Sequence, residues 1–280
     1  MTNVAVLGTG LLGAAMVENL LAKGHAVHAW NRSRDKLAPL TKKGAIAAAD
    51  PAAAVRSAER VHLVLAEDDA VDAVIAQLRP GLGKNVPVVD HSTNLPAKVR
   101  ARFDTLRKAS VRYVPAPVFM SPQNAREASG LMVIAGPTAD AEALRPALEQ
   151  MTGKLWHVGE RPELAAVHKL AGNSMLFAIA GAMADVFAIG AGNGVEPRAM
   201  LQLFEVFKAG AALPFLGERV LAAGGGPPSF ELSMARKDAR LMQAAAGSSP
   251  LFVLPGIAAA MDQAIARGRG SQDFAVFTRP

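Results

Sequence analysis

Short runs of β-branched and aliphatic residues alternate with Ala- and Leu-rich stretches of helical period through residues 1–160. That rhythm predicts a parallel sheet wrapped by helices. The apolar runs place strands near Val4–Leu7, Ala26–Trp30, Arg60–Leu65, Pro87–Asp90, Val111–Val114 and Leu131–Ala135, with a further short strand, Leu155–Val158, closing the domain. Helices are expected to begin after Thr9, Ser33, Asp50, Asp68, Asn94 and Thr138. Ser33 and Asp50 each offer a side-chain oxygen to free amides, and Pro51 suits a first helical position.

After Gly159-Glu160-Arg161-Pro162 the pattern changes. From Glu163 to about Gly192 the chain is continuous helix material, far longer than the mean globular helix of about 11–12 residues, and a helix of that length usually spans two domains or two subunits. The remainder is helical, punctuated by Gly192-Asn193-Gly194, by Gly224-Gly225-Gly226-Pro227-Pro228 and by Gly247-Ser248-Ser249-Pro250. The expected architecture is α/β: a doubly wound domain over residues 1–160, then an all-helical domain over residues 161–280, joined by the long interdomain helix.

Composition narrows the chemistry. Hydrophobic residues at 51% with charged residues at 19% exclude a disordered chain. The absence of cysteine removes disulfides, thiolate-bound zinc, iron–sulfur clusters and a thiol nucleophile together, and no metal is expected. Tyr113, the single tyrosine, has no lysine four residues on, so a Tyr-x-x-x-Lys catalytic pair is excluded. The net charge of +6 suits anionic small molecules, while 5% aromatic residues and scattered basic ones argue against nucleic acid. Met1-Thr2-Asn3 runs straight into a strand without a targeting pattern, so a cytoplasmic location is expected. Met175 to Gly192 is greasy, yet Asp185 and several glycines interrupt it, which fits a buried or interface helix rather than a membrane span.

Gly8-Thr9-Gly10-Leu11-Leu12-Gly13 follows the first strand and opens the first helix. Glycines there permit a tight turn and close approach of backbone to a pyrophosphate, and the helix N-terminus offers free amides, so the motif predicts dinucleotide binding. Beyond the second strand, where an NAD site would carry Asp or Glu, the chain reads Asn31-Arg32-Ser33-Arg34-Asp35-Lys36. Arg32 and Ser33 suit a 2′-phosphate, with Lys36 nearby, so NADP (as NADPH) is expected over NAD. Leu65 and Ala66, at the end of the third long strand, are expected to line the cofactor. Ser92 and Thr93 end the next strand, as nicotinamide contacts or as an N-cap before Asn94.

On the long helix Lys169 and Asn173 stand four apart and share a face. Lys169 sits in an almost uncharged neighbourhood, where burial would lower its pKa and equip it to give and take a proton. His168 is the competing acid or base, but it points about 100° away.

Together these residues resemble the β-hydroxyacid dehydrogenase family, which includes 3-hydroxyisobutyrate dehydrogenases, tartronate semialdehyde reductases and glyoxylate/succinic semialdehyde reductases. The resemblance runs nearly end to end. It takes in the glycine motif, Trp30-Asn31-Arg32-Ser33, Asp90-His91-Ser92-Thr93 with Pro96, Ala116-Pro117-Val118, Gly159 and Lys169-Leu170-Ala171-Gly172-Asn173. Further on it includes Phe230, Lys237-Asp238, and Gly268, Gly270, Asp273 and Ala275. It implies a Rossmann domain, a helical second domain, homodimers or homotetramers, and reversible hydride transfer between NAD(P) and a small hydroxy acid or its aldehyde. It also implies that Lys169 is the catalytic lysine, that Asn173 orients the substrate, and that Lys237 closes over the cofactor.

One segment departs from the family. Where a serine and two glycines ordinarily hold the substrate carboxylate, this chain has Phe119, Met120 and Ser121. Losing the glycines removes close backbone approach, so a larger or less acidic carbonyl compound is expected, with Ser121 offering a hydroxyl from a shifted position. The alternatives are an imine reductase on the same scaffold, or a non-catalytic NADP-binding protein.

Overall fold

The computed structural model describes all residues except Gly224, which opens the glycine run noted above, and Pro280; these two lie outside the described residues. The chain divides into two compact units, Met1–Asn173 and Ser174–Pro280. The first unit therefore runs on through the opening turns of the long helix and carries Lys169 and Asn173 with it.

The first unit contains strands β1 (Asn3–Leu7), β2 (Ala26–Trp30), β3 (Ile46–Ala47), β4 (Arg60–Leu63), β5 (Pro87–Asp90), β6 (Arg112–Pro115), β7 (Val118–Phe119), β8 (Leu131–Ile134) and β9 (Lys154–His157). Its helices are α1 (Leu11–Ala22), α2 (Ala38–Thr41), α3 (Pro51–Val55), α4 (Asp68–Leu78), α5 (Pro96–Lys108), α6 (Pro122–Glu127) and α7 (Thr138–Leu148). Strands β1 to β6 form one parallel sheet in the order β3-β2-β1-β4-β5-β6. That is the doubly wound Rossmann order, and its reversal between β1 and β4 opens the ligand crevice at their carboxyl ends. Along β1, Val4 and Val6 enter one core with Met16 and Leu20 of α1, while Ala5 and Leu7 enter another with Val71 and Ile75 of α4. Alternation on a strand buried on both faces is what covers the sheet twice.

Several local expectations need correction. The strands near 131–135 and 155–158 do not extend the main sheet; with the unforeseen β7 they form a separate three-stranded sheet, β7-β8-β9. Strand β4 stops at Leu63, so Val64 and Leu65 already belong to the following loop. Asp50 caps α3 as expected, its Oδ1 accepting the Ala53 N–H at 2.7 Å. Ser33 does not cap: a 3₁₀ turn, Arg34–Leu37, precedes α2 and the hydroxyl takes no part in it. The helix expected after Asn94 begins at Pro96 with Leu95 at its N-cap, so neither Ser92 nor Thr93 caps it.

The long helix is α8 (Leu164–Ala191), followed by α9 (Pro197–Val206), α10 (Leu213–Leu221), α11 (Leu232–Ala246) and α12 (Leu254–Ala266). The acid inside its greasy stretch has a structural purpose. Asp185 is buried, and its carboxylate accepts the backbone N–H groups of Phe252, Val253 and Leu254, satisfying the orphan amides at the start of α12. At the other end of α8 the helix runs close against α11, where a Cβ on Gly192 would lie 2.2 Å from the Ala245 carbonyl oxygen. By length and composition α8 is apolar enough to cross a membrane, with a mean hydropathy of 1.8. The expectation was of a buried or interface helix, and in the single chain Met175, Leu176, Phe177 and Ile179 are exposed rather than buried.

Candidate functional site

The turn between β1 and α1 separates its three glycines by what each must do. Gly8 has φ +96°, and a Cβ there would lie 2.2 Å from the Val64 carbonyl oxygen; a Cβ on Gly13 would lie 1.9 Å from the Gly8 carbonyl oxygen. Packing alone therefore demands these two. Gly10 differs, because nothing lies within 4 Å of where its Cβ would stand. It is the N-cap of α1 and provides no side-chain cap, leaving the amides of Leu11, Leu12 and Gly13 without an intrahelical acceptor. The Thr9 hydroxyl is buried beside them without a hydrogen-bond partner. Open space, unclaimed amides and an unpaired hydroxyl at the positive end of a helix fit a dinucleotide pyrophosphate.

Asn31 holds this turn to the end of β2. Its Oδ1 accepts the Thr9 N–H at 3.0 Å, and its Nδ2 donates to the Ser33 carbonyl at 3.0 Å. The Arg32 side chain beyond it is exposed and, among the described residues, has no acidic partner. On the neighbouring strands, the Leu65 N–H donates to Ser92 Oγ at 2.9 Å, which ties the loop after β4 to the end of β5. Ala66 and Thr93 are exposed at those strand ends. A cleft of about 380 Å³ lies there, with Thr93 and Asn94 on one wall, Leu170 of α8 on another, and Glu67 and Asp69 in its lining.

Lys169 is half-buried on α8. Its ammonium donates to Asn173 Oδ1 at 3.0 Å and lies 4.3 Å from the centre of the Phe119 ring. Burial lowers its pKa below the usual lysine range, and no neighbouring charge contributes to that shift. His168 is engaged elsewhere, its Nδ1 bonded to the Leu164 carbonyl at 2.8 Å and its ring edge-on to Trp156. An α-helix places these successive side chains on different faces, so Lys169 alone presents its proton toward Asn173 and Phe119.

Residues 3–159 match the family model of the NAD binding domain of 6-phosphogluconate dehydrogenase. The chain belongs to that family. It is 27% identical over 286 residues to an uncharacterized oxidoreductase of Bacillus subtilis, covering 99% of this chain and 98% of the relative. It is 26% identical over 269 residues to the 3-hydroxyisobutyrate dehydrogenase of Pseudomonas aeruginosa, covering 91% and 90%. In fold it is similar to an imine reductase from Myxococcus stipitatus solved in complex with NADP+, with a TM-score of 0.88 at 20% identity over 99% of each chain; a variant of that enzyme is solved with NAD+. The chain is an NAD(P)-dependent oxidoreductase of the dehydrogenase type.

Within this family scaffold, the residues singled out by sequence do not all converge. Gly8, Thr9, Gly10, Leu11, Leu12, Gly13, Asn31, Arg32 and Ser33 gather around one turn, and Lys169, Asn173 and Phe119 form a second cluster. Met120 packs against the sheet core. Ser121 is committed to α6 in a capping box, where its Oγ accepts the Asn124 N–H and its own N–H donates to Asn124 Oδ1. Lys237 lies in the second unit on α11, exposed, with Asp238 Oδ1 at 2.9 Å. Among the described residues no group of three His, Asp or Glu is placed to hold a metal.

Sequence reasoning missed what stands behind the Phe119 segment. Arg60 Nε donates to His62 Nε2 at 2.7 Å, His62 Nδ1 lies 2.8 Å from His91 Nε2, and His91 Nδ1 lies 2.7 Å from the Ala116 carbonyl oxygen. Because Arg60 can only donate, His62 must carry its proton on Nδ1 and His91 on Nδ1, giving a one-way string of neutral rings that ends on Ala116. Beside it, Asp90 Oδ2 accepts the Tyr113 hydroxyl at 2.7 Å and the Asn94 amide at 2.8 Å, and Asp90 Oδ1 accepts the Ser92 N–H at 2.9 Å. A sequence signal existed, since His62 and Asp90 stand in strands central to the sheet, where a polar residue requires a partner.

Burial holds His91 down to about 4 and His62 well below its usual value, in both cases aided by the Arg60 charge. A histidine whose folded pKa lies below the unfolded one adds stability above about pH 6.5, and that stability is lost as pH falls toward the folded pKa. The urea midpoint is therefore expected to fall between pH 7 and pH 4.5, and more gently in His91→Gln. Parallel slopes for the two proteins would remove the histidine string as the cause.

Proposed function

We propose that the chain is an NADPH-dependent reductase that reversibly reduces a small carbonyl compound to its hydroxy form, with Lys169 as general acid and base. The observation that carries this is the desolvated Lys169 ammonium, held to Asn173 and standing in the same unit as an open glycine turn. Leu11, Leu12 and Gly13 would hold the pyrophosphate through their amides, with the Thr9 hydroxyl beside them, and Arg32 and Ser33 would hold the 2′-phosphate. Leu65, Ala66 and Thr93 would line the path toward the nicotinamide. When bound, the cofactor supplies the hydride.

In reduction the carbonyl carbon takes the hydride while Lys169 Nζ gives a proton to the oxygen. Asn173, already an acceptor for that ammonium, fixes the lysine and can donate its amide hydrogens to the substrate. In the oxidation direction Lys169 must be neutral to take the proton back. Reduction is thus expected to slow, and oxidation to quicken, as pH rises through a lysine pKa that burial has lowered. The apolar ring of Phe119, where the family ordinarily places carboxylate-binding groups, favours a larger or less acidic carbonyl. The same ring favours a second reading, reduction of an imine, which a panel of aldehydes, hydroxy acids and cyclic imines with NADPH separates.

Lys169→Ala is expected to lower turnover by roughly 10²- to 10⁴-fold while leaving NADPH binding unchanged, read by steady-state kinetics beside fluorescence titration. Wild-type turnover in that variant would transfer the role to His168. Arg32→Ala is expected to weaken NADPH binding by about 10- to 100-fold and NADH binding little. An equal loss for both cofactors would count against 2′-phosphate recognition. The exposed apolar residues of α8, with Val206, Phe207 and Phe215 also exposed in the same unit, are proposed to be covered by a second copy of the chain. Light scattering is expected to give at least twice the 29.1 kDa chain mass, and a monomer at micromolar concentration would reject this.

A further inference from the structure

Phe119 and Gly172 fit each other as ring and socket. A Cβ on Gly172 would lie 2.4 Å from Phe119 Cζ and 2.6 Å from Cε1, so the ring reaches α8 only because that position is glycine. Gly172 lies one turn beyond Lys169, and the ring face seated there looks at Lys169 Nζ from 4.3 Å. The seat is built from behind as well. Val118 and Phe119 pair with Met132 and Leu131 of β8, the Val133 N–H donates to the Pro117 carbonyl, and the Phe119 side chain packs with Val133, Ala135 and Ala165. Upstream, the Ala116 carbonyl is the acceptor at the end of the His62–His91 string.

We propose that Phe119, seated on Gly172, is a positioning residue for Lys169: its ring face holds the ammonium against Asn173 and excludes water from the proton to be transferred. This rests on the reading of Lys169 as the acid. The ring face acts on the ammonium in two opposite senses. As apolar bulk it strips solvent and favours the neutral amine, while as a π-system its negative face attracts the cation and favours the charged form. Among the described residues no carboxylate contributes to the Lys169 shift, and the hydrogen bond to Asn173 Oδ1 favours the ammonium whatever stands at 119, so a change at Phe119 acts through these two effects. Replacing Phe119 therefore moves the titration of Lys169 in a direction that depends on which property the substitute keeps.

The test reads the pH midpoint of Lys169 acetylation by acetic anhydride, followed by peptide mass spectrometry, on the full-length protein. The midpoint reports proton affinity whether or not the protein turns over. Phe119→Leu keeps the bulk and loses the π-face, and is expected to move the midpoint down by about half a unit to one unit. Phe119→Ser admits water and is expected to move it up. Gly172→Ala, which pushes the ring from its seat without touching it chemically, is expected to shift the midpoint on its own and to add little in the Phe119→Leu background, where the smaller side chain leaves room for the methyl. An unchanged midpoint in all three would overturn the proposal, as would upward shifts with both Leu and Ser, which would reduce the ring to a water barrier. Additive effects of Gly172→Ala and Phe119→Leu would break the link between ring and socket. Failure of Lys169→Ala to lower turnover strikes the acid assignment and leaves these midpoints readable, so the two ideas fail separately.

Discussion

Polar side chains lie in the middle of the parallel sheet, and the first unit is organised around giving them partners. His62 in β4, Asp90 at the end of β5 with His91 just after it, and Tyr113 in β6 are all shielded from water. In a sheet covered on both faces such groups cost several kcal/mol unless hydrogen-bonded. Their bonds run along the carboxyl ends of β4, β5 and β6, where the crevice of a doubly wound sheet opens. Arg102 reinforces the far side, its guanidinium paired with Asp68 and Asp72 and bonded to the Tyr113 hydroxyl. The floor of the crevice is thus fixed by internal hydrogen bonds, and the segment carrying Phe119 leaves that floor in a set direction.

What was legible follows from how local each signal is. The glycine turn needs only a strand, a tight bend and a helix in succession, and all three are written within the first twenty-odd residues. The pair Lys169 and Asn173 was legible because helical spacing alone puts positions four apart on one face. Strands β8 and β9 looked identical in kind to those of the main sheet, and only long-range pairing with β7 shows that they form another one. Strand β7 was invisible because a two-residue strand leaves no periodicity to read. Ser121 and Ser92 show the same gap from the other side: a hydroxyl near a strand end reads alike whether it waits for a ligand, caps a helix or pins a loop, and only the partner atom decides. In Ser121 that partner is Asn124, and in Ser92 it is the Leu65 amide.

The two units share one helix, and its two halves obey different rules. Up to Asn173 the helix is part of the first unit, with Ala165 and Ala166 fully packed there. Beyond it the helix offers apolar side chains outward and anchors its own unit through Asp185, the one acid in its greasy half. An acid in an apolar helix reads from sequence as an interruption. In the fold it is the anion that three amides at the start of α12 require.

The contact between Phe119 and Gly172 also makes the two positions interdependent. A side chain larger than glycine at 172 would stand where the Phe119 ring now lies. Glycine stands there at the expense of helix propensity within α8, and an alanine in its place would need the ring to shift. A small residue at 119 would in turn vacate the space beside Lys169 that the ring fills. What either position can hold therefore depends on what stands at the other.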